Sequence, residues 1–256
     1  MPTTAIEASP WFVCPKPNPR AGLRLFCFPY AGGGTLIYRA WPAALERVAE
    51  LHMVQLPGRE RRLAEPPYTS VDALVSELSE TIAGHLDVPF AFFGHSMGAV
   101  LSFELARRLR RERGVEPRHL FVSGRSAPQL PRREPCTFDL PEPEFVQELI
   151  NLNGTPREVL ENPELRQLLL PLLRADFAVC QTYEYDPGRP LACPITALGG
   201  IGDRVSREDL EGWREQTVSR FMLRMFPGDH FFLNSAQATL LEVIARDLQR
   251  HAGASL

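Results

Sequence analysis

A short apolar run that ends in Gly-His-Ser-Met-Gly constrains this chain more than any other feature. Phe90 to Phe93 reads as a buried strand, and Gly94 and Gly98 bracket Ser96. From Val100 onward, apolar residues recur at three- and four-residue steps, which is typical of a helix. Strand, tight turn and helix in this order predict a nucleophile elbow, which exposes the serine hydroxyl at the carboxyl edge of a sheet. An ordinary turn serine is the alternative.

The composition is that of a globular protein. The chain has 256 residues, 44% of them hydrophobic, and a net charge of −3, which suits one α/β domain with or without an insertion and argues against nucleic-acid binding. Five cysteines, an odd number, occur without a C-x-x-C pair. We see neither a secretory signal nor an apolar run long enough to cross a membrane. The chain is therefore expected to be a cytoplasmic monomer with reduced cysteines and no membrane contact.

Strand and helix patterns alternate along the chain. The strands predicted beside the elbow cover residues 23–28, 52–56, 119–123, 195–199 and 219–226, and the helices cover residues 38–50, 71–86 and 237–251. This order predicts an α/β fold, the α/β-hydrolase fold, with a mostly parallel sheet and helices on both faces.

Two segments depart from the alternation. Residues 1–20 contain five prolines and predict an extended N-terminal segment, which Trp11 and Phe12 could attach to the surface. Residues 131–190 read as successive helices punctuated by prolines, which predicts a helical lid inserted over the strand edge. Residues 21–130 and 191–256 would then form the core. The lid could line an acyl-binding cavity, and an inert insertion is the alternative.

Three consecutive glycines, Gly32 to Gly34, follow the first strand. A phosphate-cradling loop is one interpretation, but neither G-x-x-x-x-G-K-[ST] nor G-x-G-x-x-G is present. The second arm of an oxyanion hole is the other interpretation, and the downstream elbow favours it. A flexible connector is the third.

The partners of the serine follow in the chain order that α/β-hydrolases use, which is Ser, acid, His. Asp203 and His230 each come just after a predicted strand, whereas residues 124–128, the other customary place for the acid, hold no carboxylate. Asp229 is a rival acid, but it adjoins His230 and cannot easily reach back to the imidazole.

Each candidate residue has a role in acyl transfer. His230 would take the proton of Ser96, and Asp203 would fix the imidazole tautomer. The backbone N–H groups of Met97 and Ala31 would hold the oxyanion. We expect no metal and no cofactor.

Two charged runs allow two interpretations each. Residues 59–62, Arg-Glu-Arg-Arg, are expected to form a solvated loop, although they follow a strand end where ligands bind. The arginines of residues 107–113 would complement the dipole of a helix C-terminus. Docking of an acidic partner is the alternative for that helix end.

Five motifs in series resemble the type II thioesterases, the stand-alone editing enzymes of polyketide and non-ribosomal peptide synthesis. They are Phe28-Pro29-Tyr30-Ala31-Gly32-Gly33, Leu56-Pro57-Gly58-Arg59, Gly94-His95-Ser96-Met97-Gly98, Gly202-Asp203 and Gly228-Asp229-His230-Phe231-Phe232.

The resemblance implies hydrolysis of stalled or wrong acyl groups from the phosphopantetheine arm of acyl or peptidyl carrier proteins, under a flexible helical lid. No cofactor is implied, because the substrate is carried on the phosphopantetheine arm of the partner carrier protein. One departure is Asp229, where relatives often have glycine, which adds a charge beside the base. An oxygen-ester hydrolase or lipase, a product-release thioesterase or cyclase and a non-enzymatic relative are the alternatives.

Overall fold

The structure, a computed structural model, describes residues 9–252, with only the backbone of residues 251 and 252. Within this part of the chain one sheet holds seven strands in the order β1-β3-β2-β4-β5-β6-β7. The strands are β1 Phe12–Val13, β2 Arg24–Phe28, β3 Glu50–Val54, β4 Phe90–His95, β5 Leu120–Ser123, β6 Ile195–Gly200 and β7 Phe221–Phe226. Only β1 is antiparallel to its neighbour. The predicted α/β-hydrolase fold with a mostly parallel sheet is confirmed.

The predicted helices occur in the predicted order, and the structure adds two short helices, Arg207–Glu211 and Phe232–Ser235, which the sequence analysis did not predict. They are α1 Trp41–Leu45, α2 Val71–Ile82, α3 Met97–Arg113, α4 Glu142–Leu152, α5 Arg157–Glu161, α6 Pro163–Gln181, α7 Arg207–Glu211, α8 Phe232–Ser235 and α9 Gln237–Ala252. Short 3-10 turns occur at Thr35–Tyr38, Glu60–Arg62, Ala83–His85 and Gly212–Gln216.

The sheet is buried on both faces. Alternate side chains of a strand point to opposite faces, and on β2 Phe26 and Phe28 join one apolar cluster while Leu25 and Cys27 join another. The first cluster includes apolar residues of α2 and α3, and the second includes apolar residues of α1 and α9. Helices therefore cover both faces, as expected for parallel strands that are apolar throughout.

Several predicted elements differ from the structure. The strand predicted over residues 52–56 is shifted to Glu50–Val54, and the helix predicted over residues 71–86 already ends at Ile82, with a 3-10 turn after it. The helix expected over residues 38–50 shrinks to α1, because β3 already begins at Glu50, which pairs with Arg24. In the N-terminal segment, Phe12–Val13 pairs with β3, and Trp11 is buried against the core. Residues 1–8 of that segment lie outside the described residues. Long-range strand pairing decides the differences at β1, α1 and β3, and local sequence does not report it.

The elbow between β4 and α3 is a strained turn. Ser96 has φ 53° and ψ −110°, values that non-glycine residues seldom adopt. A Cβ on Gly94 would lie 2.0 Å from the Gly98 carbonyl oxygen, and a Cβ on Gly98 would lie 2.2 Å from that of Phe28. Backbone therefore touches backbone at both glycines, which is the reason that the turn can be so tight.

Residues 131–190, the predicted lid, contain α4, α5 and α6 between β5 and β6. Apolar side chains of these helices pack against each other in a separate cluster, whose buried members are Phe145, Leu149, Leu160, Leu170 and Leu173. Much of the apolar surface that the sequence shows here is thus used to hold the lid helices together. Pro171 lies inside α6. The division into segment, core and lid stays a prediction.

The arginine-rich end of α3 is largely paired within the chain. Arg108 contacts Glu112 and Asp72, and Arg110 contacts Glu116 and two backbone carbonyls. These bonds, together with the dipole, favour the structural interpretation of this run over a docking face.

No helix within residues 9–252 is both long and apolar enough to span a bilayer.

We predict that Gly98→Ala lowers the free energy of unfolding by ~3 kcal/mol or more, because the added methyl meets backbone that cannot rotate away. Gly22→Ala is the matched control, since a Cβ there has no neighbour within 4 Å, and it should change stability by less than ~1 kcal/mol. Urea unfolding followed by circular dichroism measures both. Equal stability of the two variants would contradict the close packing.

Candidate active site

Three sequence-predicted side chains lie at the carboxyl edge of the sheet. Ser96 directly follows β4, Asp203 follows β6, and His230 follows β7. The free N-terminus of α3 begins at Met97, immediately after Ser96. The elbow thus places the Ser96 hydroxyl, the free backbone N–H groups of the first turn of α3 and the positive end of its helix dipole on one edge of the sheet.

The loops after β6 and β7 are joined through their backbones. The Gly202 N–H donates to the Gly228 carbonyl at 2.8 Å, and the Ile201 N–H donates to the Phe226 carbonyl at 2.8 Å. A Cβ on Gly200 would lie 2.2 Å from the Asp229 carbonyl oxygen. This contact fixes the spacing between the acid that follows β6 and the histidine that follows β7.

Asp203 and His230 meet as the sequence predicts. Asp203 Oδ2 lies 2.9 Å from His230 Nδ1, and the exposed fractions of the two side chains are 2% and 29%. The second carboxylate oxygen accepts the Val205 N–H at 3.2 Å. The carboxylate is therefore fixed in position, Nδ1 is committed to it, and Nε2 of the partly exposed ring is left for substrate chemistry.

The rival acid has a different partner. Asp229 Oδ1 accepts the Phe231 N–H at 2.8 Å, in the short turn that leads into α8. The structure thus pairs the His230 imidazole with Asp203 and not with Asp229, the residue that precedes His230.

No hydrogen bond between Ser96 Oγ and His230 occurs in the described part of the chain. His95, the residue before Ser96, packs against His230, and their ring centroids lie 5.0 Å apart. A Cβ on Gly124 would approach His95 Cε1 to 2.7 Å and His230 Cε1 to 3.2 Å. Gly124, which has φ 60°, leaves the space in which the two rings pack.

His95 is a buried neighbour of the site. Its Nδ1 lies 2.8 Å from Ser123 Oγ, and its Nε2 has no hydrogen-bond partner among the described residues. Burial, and next to it the charge of His230, lowers the pKa of His95 well below 6.5. His95 is therefore neutral at physiological pH.

The two predicted oxyanion donors are free to act. Within residues 9–252, neither the Met97 N–H nor the Ala31 N–H donates a hydrogen bond to a protein acceptor. The turn that contains Ala31 is closed by a bond from the Gly33 N–H to the Tyr30 carbonyl at 2.9 Å. Met97 is the first residue of α3, directly after Ser96, and Ala31 lies in the loop after β2, so both amides are candidates for the donors that acyl transfer needs.

Carboxylates occupy other amides of the Gly-rich loop. The Gly32 N–H donates to Asp176 Oδ2 at 2.7 Å, and the Leu36 N–H donates to Glu60 Oε1 at 3.2 Å. Glu60 also accepts the Thr35 hydroxyl at 2.9 Å and has φ 51°. A bound phosphate would need these amides and would face two negative charges. The loop is therefore unlike a phosphate cradle.

Sequence reasoning missed two residues at this edge, Arg59 and Asp176. It expected residues 59–62 to be solvated, yet Arg59 and Arg62 are buried. Arg59 forms two 2.8 Å hydrogen bonds with Asp176, one from each terminal nitrogen. The usable signal was Asp176 itself, a charged residue among the apolar residues of α6, since a buried charge requires a partner.

The predicted lid contacts the catalytic edge at three glycines. A Cβ on Gly32 would lie 2.6 Å from Leu173 Cδ2, and one on Gly58 would lie 3.2 Å from Leu172 Cδ1. From the other side, a Cβ on Gly154 would lie 2.8 Å from the ring of Phe231. Residues 131–190 thus cover the loops that carry Ala31 and His230.

One group of residues in the described chain could place three ligand atoms around a metal: Cys14, Glu50 and His52, whose atoms lie within 4.8 Å of each other. Glu50 begins β3, at the end of the parallel strands opposite to Ser96. It already accepts hydrogen bonds from Arg24 Nε at 3.0 Å and from the Asn18 N–H at 2.7 Å. Burial raises the pKa of the Cys14 thiol to about 11. A cation would compete with Arg24 for the Glu50 carboxylate and with the thiol proton for the Cys14 sulfur.

Residues 23–249 match the family model described as the thioesterase domain. Gramicidin S biosynthesis protein GrsT of Aneurinibacillus migulanus is 48% identical over 95% of each chain. Linear gramicidin dehydrogenase LgrE of Brevibacillus parabrevis is 47% identical over 98% of this chain and 97% of its own.

Among solved structures, the type II thioesterase BorB from the borrelidin biosynthetic cluster aligns with a TM-score of 0.85. It is 37% identical and covers 97% of this chain and all of its own. The RedJ thioesterase from the prodiginine pathway of Streptomyces coelicolor aligns with a TM-score of 0.83. It is 39% identical over 89% of this chain and 91% of its own.

We predict that His95 stays uncharged between pH 8 and 5.5, because its buried ring cannot be hydrated when protonated. The unfolded chain binds a proton at this residue near pH 6.5 and the folded chain does not. Acidification below 6.5 therefore lowers the free energy of unfolding by up to ~1.4 kcal/mol per pH unit from this residue. Burial lowers the pKa values of His52 and His85 as well, so their contributions have the same sign.

Ring nitrogen chemical shifts in ¹⁵N NMR, assigned with a His95→Asn variant, provide the measurement. A His95 titration with a midpoint near 6.5 would contradict this prediction.

Proposed function

The chain belongs to the thioesterase domain family, and from this premise we propose that Ser96, His230 and Asp203 hydrolyse a thioester through an acyl-enzyme. The observation that carries the proposal is the 2.9 Å bond between Asp203 and His230 on the same sheet edge as the strained Ser96 turn. This arrangement holds one imidazole nitrogen and leaves the other without a protein partner among the described residues, on the sheet edge that also carries Ser96.

In the first half of the reaction Ser96 Oγ attacks the thioester carbonyl carbon, and its proton passes to His230 Nε2. The tetrahedral intermediate collapses with cleavage of the C–S bond, and the imidazolium returns that proton to the departing sulfur. In the second half His230 takes a proton from water, whose oxygen attacks the acyl-enzyme. Ser96 then recovers the proton as the carboxylic acid leaves.

Asp203 keeps the imidazole in the tautomer with its proton on Nδ1 and stabilises the imidazolium that forms twice per cycle. The Met97 and Ala31 amides stabilise the negative charge that develops on the carbonyl oxygen. Each such donor is worth ~3 kcal/mol of the activation free energy. These roles use only groups of this chain, and the proposed reaction requires no cofactor or metal.

Acyl groups on the phosphopantetheine arm of an acyl or peptidyl carrier protein are the proposed substrates. The support is the set of relatives, which includes GrsT, named for gramicidin S biosynthesis, and BorB, named for the borrelidin cluster. A stand-alone enzyme of this kind would remove stalled or wrong acyl groups and so free the arm for another cycle. We place it in the cytoplasm, since its five cysteines are free thiols.

The name of LgrE includes a dehydrogenase activity, which we do not carry over to this chain. A dinucleotide cofactor is typically bound by G-x-G-x-x-G after a strand, and this sequence lacks that pattern. The glycines after β2 instead form the loop whose amides Asp176 and Glu60 occupy. This site is built for acyl transfer.

We predict that Ser96→Ala lowers kcat for release of an acyl group from a loaded carrier protein by ~10⁴-fold or more, and that Asp203→Asn lowers it by roughly 10²- to 10⁴-fold. Asp229→Asn is the matched control, because it removes a neighbouring carboxylate that does not contact the imidazole. It should change kcat by less than about threefold. A larger loss in Asp229→Asn than in Asp203→Asn would contradict the assignment of the acid.

The same acyl group offered as a p-nitrophenyl ester tests the substrate class. A thioesterase that recognises the carrier should have a kcat/KM at least ~100-fold higher for the loaded carrier than for the free ester, a difference of ~2.7 kcal/mol in transition-state binding. Equal or higher kcat/KM on the free ester would identify a general ester hydrolase.

A further inference from the structure

We propose that Asp176, on the lid helix α6, is a positioning residue for the oxyanion hole. It acts through Gly32 and Arg59 and holds the Ala31 amide in place. The inference rests on the proposed function, since it takes the Ala31 N–H as an oxyanion donor. It deepens that function by making the seating of the lid helix a condition for rapid catalysis.

The Asp176 carboxylate joins three parts of the fold. Its Oδ2 accepts hydrogen bonds from the Gly32 N–H at 2.7 Å and from Arg59 Nη1 at 2.8 Å. Its Oδ1 accepts a hydrogen bond from Arg59 Nη2 at 2.8 Å. Arg59 Nη1 also donates a hydrogen bond to the Gly33 carbonyl at 2.8 Å. A helix of the predicted lid, the loop after β2 and the loop after β3 are thus fixed to each other.

These contacts are shielded from water. The Arg59 and Asp176 side chains are 6% and 2% exposed, so the charges are desolvated and each depends on the other. The planar guanidinium and the carboxylate meet in a two-bond geometry that a lysine could not reproduce. The Gly32 amide therefore has a strong, directed acceptor, and the loop has little freedom to reorient.

The position of Ala31 explains why the hydrogen bond between Gly32 and Asp176 would affect catalysis. On one side its neighbour Tyr30 accepts the Gly33 N–H at 2.9 Å, and on the other side Gly32 donates to Asp176. Ala31 lies between these two anchored residues, and its own N–H has no protein acceptor in the described chain. Without Asp176 the Gly32 amide would be free to rotate, and an oxyanion donor loses its value when it must reorganise during the reaction.

The Arg59–Asp176 pair also makes the geometry of the oxyanion hole depend on the position of helix α6. One turn before Asp176 on α6, the Leu173 side chain lies directly over Gly32. Any displacement of this part of α6 would remove both the apolar cover and the acceptor of the Gly32 amide. The oxyanion hole is therefore complete only when the C-terminal half of α6 is seated.

The test uses Asp176→Asn and Asp176→Ala in the full chain, assayed on hexanoyl-loaded carrier protein. We expect Asp176→Ala to lower kcat by about 10- to 100-fold with KM changed by less than about threefold, because the lost interaction acts in the transition state. Asp176→Asn keeps an amide oxygen for the Gly32 N–H and should recover part of the rate. The affinity for a hexyl trifluoromethyl ketone, which forms an oxyanion with Ser96, should fall by the same factor as kcat.

Arg24→Gln is the control, because it breaks another buried ion pair, with Glu50, at the opposite end of the sheet. It should lower the midpoint of thermal unfolding while kcat and ketone affinity at 20 °C stay within about twofold of the wild type. If Asp176→Ala does not fold, Asp176→Asn with the ketone carries the test, and a loss of ketone affinity is still expected.

Wild-type kcat and ketone affinity in the folded Asp176 variants would overturn the inference, as would a loss of kcat with unchanged ketone affinity. A Ser96→Ala control in the same assay separates the two proposals. If that variant still hydrolyses the thioester, the proposed nucleophile is wrong. If it is inactive while the Asp176 variants behave as wild type, only the role of Asp176 is wrong.

Discussion

Contact between backbone atoms at the turn after β4 determines where the chemistry of this protein can occur. Gly94 and Gly98 let β4, α3 and β2 approach to distances that a single methyl group would prevent. That approach forces Ser96 to φ 53° and brings the N-terminus of α3 to the edge where β6 and β7 also end. The serine, the free amides and the acid–histidine pair share this edge because parallel strands present their carboxyl ends together. A change at either glycine would therefore disturb folding and catalysis at once.

Each carboxylate around the site holds a different part of it. Asp203 is committed to His230, Asp229 to a turn, Glu60 to the loop after β2, and Asp176 to Arg59 and Gly32. Each carboxylate fixes backbone or a ring in one orientation, and each is satisfied before substrate arrives. In the proposed mechanism, preorganisation of this kind would allow the Ala31 amide to stabilise a transient negative charge without moving. Under our proposal for Asp176, helix α6 of the predicted lid takes part in that preorganisation as well as covering the loop after β2.

The sequence was sufficient for features that depend on local pattern and chain order. Strand positions, the elbow and the placement of Asp203 and His230 follow from apolar periodicity and from the rule that sites lie at strand ends. The Arg59–Asp176 pair joins residues 117 positions apart, and no local pattern reports such a partner. The same limit explains the short α1 and the pairing of Phe12–Val13 with β3, since both depend on long-range register. The available signal was Asp176, a charged residue at the helical spacing of the buried Leu172, Leu173 and Val179 of α6.

Peptide mapping after reaction with a fluorophosphonate tests the central claim most directly, because this reagent modifies a serine only when a neighbouring base activates it. The account predicts one phosphonylated peptide, which contains Ser96, and loss of that labelling when His230 is replaced by alanine. Modification of another serine, or equal labelling of Ser96 in the wild type and in His230→Ala, would contradict it.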